Sequence, residues 1–138
     1  MSGSLQRHPD WRNRLIAYLT TCARRPFEPG KHDCALFLAG GVLAMTGVDF
    51  AAPYRGRYTT VAEGVRLLRR HDFADHAALA RTSLVSRPVS MAREGDGAIV
   101  REGASPALGI VQGAGIYVLR ETGLGLMPLT AAEDVLEV

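Results

Sequence analysis

Thiols and imidazoles are the groups that can serve as nucleophile and base near neutral pH, and this chain has few: Cys22 and Cys34, with His8, His32, His71 and His76. Cys34 is the position with chemical content. It directly follows Asp33, a residue type that caps helices by accepting first-turn amides, so its thiol falls in the first turn of a helix. A helix start favours negative charge, so a thiolate there is stabilised and more reactive than a thiol in an apolar core. Such a cysteine can attack an acyl carbon if a base takes its proton. His32, two residues earlier, is a candidate partner because a loop side chain can fold back on the first turn; the competing reading makes it a support for the cap. Asp33 reads as the cap, with an electrostatic role in the site as the alternative. A buried structural thiol and a redox-sensitive thiol compete with the nucleophile reading of Cys34. Cys22 falls on the apolar side of a helix and reads as a small core hydrophobe. His71 and His76 fall near the junction of two helices and read as surface residues, and His8 sits in the terminus.

The elements that must position these groups follow from periodicity. Trp11, Leu15, Tyr18, Leu19 and Cys22 recur at helical spacing after Pro9 and Asp10, which predicts a first helix ending before Pro26. Pro26, Pro29 and Gly30 mark a loop. The run from Ala35 to Met45 is apolar nearly all round and stops at Gly47, as expected of a central, buried helix. Thr60 and Glu63 have the spacing of a capping box for a third helix reaching about His71, and a fourth is expected from Phe73 to Arg81. Beyond Pro88 short apolar runs are split by glycines, the pattern of a small antiparallel sheet of about five strands. Asp96 after Gly95 reads as a turn at a strand entry. The expected core comprises Leu15, Leu19, Leu36, Phe37, Leu43, Val65, Leu68, Ile99, Ile110 and Val118.

Composition bounds the function classes. The chain has 138 residues, formal net charge +2, 22% charged and 47% hydrophobic residues, the composition of one globular domain. Helical patterns followed by strands make it an expected α+β domain over 1–138, with 1–8 expected to be flexible. Two cysteines are too few for a disulfide scaffold. Fifteen of the sixteen basic residues are Arg, spread along the chain instead of interleaved with aromatics on one face, which argues against a nucleic-acid partner. No run approaches the ~20 apolar residues of a membrane span, and the N-terminus lacks the pattern of a secretory signal. Nothing suggests a metal or cofactor. The Arg55-Gly56-Arg57-Tyr58 group lies on a loop and consists of types enriched at interfaces, so Arg55, Arg57 and Tyr58 are partner-binding candidates. The competing reading has Arg55 clamping the loop to a carboxylate.

The stretch Phe27-Glu28-Pro29-Gly30-Lys31-His32-Asp33-Cys34-Ala35-Leu36-Phe37 resembles the nucleophile region of the NlpC-type cell-wall peptidases. Gly95-Asp96-Gly97-Ala98-Ile99-Val100 resembles that family's first core strand, and Leu108-Gly109-Ile110-Val111-Gln112-Gly113 its second. Thr46-Gly47-Val48-Asp49 and Arg55-Gly56-Arg57-Tyr58 extend the likeness to a branch found among the tail-tip proteins of phages and gene transfer agents, over roughly residues 10–138. The resemblance implies a papain-like, NlpC-type fold, its central helix starting at Cys34 and packed on the C-terminal sheet.

One departure bears on activity. Aligning Gly109-Ile110 with the family's Gly-aliphatic pair puts Ala107 in the catalytic histidine slot, and no histidine follows His76. An alanine can neither take nor give a proton. The leading expectation is therefore a structural or adaptor component of a phage tail tip or baseplate, a virion protein assembled in the host cytoplasm. It would contact other tail-tip and hub proteins through a degenerate peptidase fold. The alternative is an active cysteine peptidase or amidase that cleaves peptidoglycan stem peptides during genome entry.

Overall fold

A computed structural model describes residues 5–103 and 105–138. Among the described residues four α-helices, α1 (Trp11–Cys22), α2 (Cys34–Thr46), α3 (Val61–Arg70) and α4 (His76–Ser83), precede the whole sheet. The strands are β1 (Val85–Arg87), β2 (Gly97–Glu102), β3 (Ser105–Gln112), β4 (Gly115–Arg120), β5 (Gly123–Pro128) and β6 (Ala132–Glu137). They form one antiparallel sheet in the order β1-β6-β2-β3-β4-β5: a meander from β2 to β5, then a return of β6 to the free side of β2. The chain is α+β, as its element pattern predicts.

The sixth strand corrects the expected five. β1 spans only Val85–Arg87 and is created by pairing with β6, so no alternation could announce it. The fourth helix begins at His76, later than expected, because Asp75 is its cap and accepts from the Ala78 amide at 2.9 Å. α1 ends at Cys22, α2 ends at Gly47 in a left-handed conformation, and the Thr60–Glu63 capping box starts α3.

α2 crosses the sheet over β3 and is flanked by α1 and α4. Phe37, Leu38, Val42 and Met45 meet Leu15 and Leu19 of α1, Ala77 and Ala80 of α4, and Ile99, Leu108, Ile110 and Leu136 of the sheet. The strands read as continuous apolar runs because their other face is buried too: Ala98, Val100, Val111, Ile116 and Val118 pack with Met127 and Leu129. Seven of the ten expected core residues are buried; Leu43 and Val65 are 41% and 38% exposed and Leu68 is half-buried. Leu43 lies on a part of α2 that no element covers, and Val65 and Leu68 face a cleft.

Within the 1–8 segment expected to be flexible, the described Arg7 and His8 are bonded to the domain. Arg7 donates to the Val138 carbonyl (3.0 Å), the Glu94 carbonyl (2.8 Å) and Asp96 (3.2 Å), and the His8 amide bonds the Met45 carbonyl (2.7 Å). Residues 1–4 lie outside the described residues. Among the described residues no helix is long and apolar enough to cross a membrane.

Candidate functional site

The loop 26–33 delivers Cys34 to the start of α2. Gly30 has φ +83°, and a Cβ there would stand 1.9 Å from the Tyr58 carbonyl oxygen, so only glycine lets the two loops meet. That contact sets Asp33. One of its oxygens accepts the Leu36 amide at 3.1 Å, the helix-capping bond, while the other accepts the Gly30 amide at 2.9 Å and a short bond from the Tyr58 hydroxyl. Asp33 is 7% exposed and forms no ion pair among the described residues. Burial, followed by the bond to Asp33, pushes the Tyr58 phenol well above its ordinary range, so it stays protonated and donating.

Cys34 is the first residue of α2, partly exposed and outside any disulfide. It opens on a cleft of about 130 Å³ walled by the 27–29 loop, Tyr54 and Tyr58, the α3 residues Val61, Val65 and Leu68, and His76 and Leu79 of α4. α3 comes close to this wall at Gly64, the helix's one buried residue, where a Cβ would lie 2.9 Å from the Tyr58 ring.

The histidine in this cleft is His76. It is the first residue of α4, and its Nε2 lies 2.8 Å from the Pro106 carbonyl. A carbonyl only accepts, so Nε2 carries the proton and Nδ1 is the basic atom of the neutral ring. Pro106 directly precedes Ala107 on β3, where Ala107 pairs with Val100. An imidazole from α4 therefore stands beside the strand slot that Ala107 occupies. His76 reads as a surface residue in the sequence, and only the packing of α4 against β3 brings it into the cleft that Cys34 also lines. The Asp75 cap two residues after Phe73 is the one local signal that its side chain starts a helix.

His32 is elsewhere. It is 2% exposed, stands edge-on to Phe37 with 6.2 Å between ring centres, and is not part of the cleft wall. Its Nε2 is buried without a hydrogen-bond partner. Burial, then the charge of Arg25, lowers its pKa, with Asp33 opposing, so the ring is held neutral. Cys22 is buried in the core, and burial pushes its thiol pKa up, which makes it inert.

The Arg55 to Tyr58 loop divides. Arg55 forms a two-pronged bond to Asp49, at 2.9 and 3.1 Å, and Tyr58 bonds Asp33; both hold the loop to the domain. Arg57 is exposed. His71 accepts or donates at 2.7 Å to the Tyr54 hydroxyl, behind the cleft wall. Asp96 is more than a turn former: fully buried, it accepts from the Arg93 and Val138 amides and from Arg7. No group of three or more His, Cys, Asp or Glu able to hold a metal occurs among the described residues.

In comparison with known proteins, a family model described as "Domain of unknown function (DUF6950)" matches residues 6–138. No curated protein and no solved structure matches the chain.

Proposed function

We propose that this chain, which belongs to the DUF6950 family, is a papain-like, NlpC-type domain of a phage tail tip whose cleft is built for thiol-dependent acyl chemistry. The observation that carries this reading is the shared cleft of Cys34 and His76, with the imidazole fixed through Nε2 on Pro106. In this reaction His76 Nδ1 takes the proton from Sγ, and the thiolate attacks the carbonyl carbon of an amide to form a C–S bond. First-turn amides of α2 stabilise the oxyanion. The C–N bond breaks, the leaving amine takes the proton from Nδ1, and water hydrolyses the thioester to a carboxylic acid and the thiol. The loop-to-strand likeness of residues 27–37, 95–100 and 108–113 supports the fold, and the tail-tip motifs support the location.

Ala107 favours a second reading, in which the domain is a structural or adaptor component of the tail tip and uses Arg57 at an exposed surface for its neighbours. The two are separated by turnover. Purified protein is expected to release fragments from peptidoglycan or cleave a peptide amide, and Cys34→Ser and His76→Gln each to remove ~100-fold or more of that rate. Turnover that survives Cys34→Ser overturns the thiol mechanism. Its absence from wild-type protein, with the chain found in purified virions, supports the adaptor.

A further inference from the structure

The polar side chains Asp33, Tyr54, Tyr58 and His76 of the cleft wall all have internal partners. Asp33 holds Gly30, Leu36 and Tyr58; Tyr54 holds His71; His76 Nε2 holds Pro106. The remaining wall is hydrocarbon, from Phe27, Pro29, Ala35, Val61, Val65 and Leu79. No Arg or Lys lines it, and the one charge present, Asp33, is negative. Val61 and Val65 are 58% and 38% exposed on this side, aliphatic surface left open to water at the cleft. A volume of about 130 Å³ suits one side chain rather than a polymer strand.

We propose that the cleft is a pocket for a single uncharged aliphatic side chain or acyl group next to the carbonyl that Cys34 attacks, and that it rejects acidic residues at that position. This rests on the acyl-chemistry reading above and gives it a substrate class. A carboxylate entering the cleft would lose its hydration, meet Asp33 and find no Arg or Lys in the wall to pair with. An aliphatic group would cover Val61, Val65 and Leu79 and lose only its contact with water.

The test separates this claim from turnover by using the Cys34→Ala protein, which cannot react. N-acetyl-leucinamide and the corresponding N-acetyl-glutamyl amide with a free side-chain carboxylate are titrated while backbone amide NMR shifts are followed. The leucyl probe is expected to bind at least about tenfold more tightly, with shifts at residues 27–35 and 61–79. Val65→Glu, at a partly exposed position, is expected to abolish that preference without loss of thermal stability. Equal affinities, a glutamyl preference, no shifts at the cleft, or an unchanged preference in Val65→Glu overturn the pocket. If wild-type protein lacks turnover while the Cys34→Ala preference holds, the hydrolase reading falls and the aliphatic pocket stands.

Discussion

Two buried aspartates organise this domain and are neutralised in opposite ways. Asp96, at the entry to β2, accepts two backbone amides and is also paired with Arg7 at 3.2 Å, with Arg87 at 3.8 Å. Asp33, at the entry to α2, accepts two amides and a phenol and has no ion pair among the described residues. The first is a fastener: it ties the N-terminus, the C-terminus and β2 together with compensated charge. The second is held by neutral donors without a direct ion pair among the described residues, next to Cys34, where its charge opposes thiolate formation while the helix start favours it. One buried charge is cancelled by arginines and the other, at the cleft, is held by neutral donors.

The comparison breaks most visibly at the fastener. Asp96→Ala leaves Arg7 without its carboxylate and two buried amides without an acceptor, and is expected to cost about 3 kcal/mol or more in urea denaturation. Asp33→Asn should cost less, about 1 kcal/mol, because the amide oxygen still caps α2. It should also speed iodoacetamide labelling of Cys34 at neutral pH; unchanged labelling would show that the Asp33 charge does not reach the thiol. Tyr58→Phe removes one donor from Asp33 and is expected to cost about 1 kcal/mol and leave the Asp96 end untouched.

The smallest expected effect is a pH slope. His32 has its pKa lowered in the folded state from 6.5. The unfolded chain therefore binds a proton that the folded chain resists, and stability falls as pH drops below about 6.5, levelling once the folded ring protonates. His32→Gln should flatten that slope in urea titrations between neutral and mildly acidic pH.

Local signals made part of this legible. Asp33, Gly47 and the Thr60–Glu63 pair carry their helix boundaries in their own chemistry, and the glycine-split runs after Pro88 carry the strands. Cys34 was legible for the same reason, since a cap and the residue after it are neighbours in sequence. That Cys34 and His76 line one cleft was not, because it arises where α4 packs on β3, and no periodicity encodes which histidine a distant helix will present. β1 was illegible because its three residues become a strand only through β6. The Arg55 loop shows the limit of residue type as a guide: Arg and Tyr suit an interface equally well whether the partner is another protein or, as for Arg55 and Asp49, the same chain.

The slight anchoring of α3 carries one last consequence. Its single buried residue, Gly64, rests on one tyrosine ring, whereas α2 is buried along nearly its whole length. In hydrogen exchange the α3 amides should therefore lose their protection long before those of α2, as a separate cooperative unit. On that expectation the wall carrying Val61 and Val65 opens while Cys34 stays on the deeply buried α2.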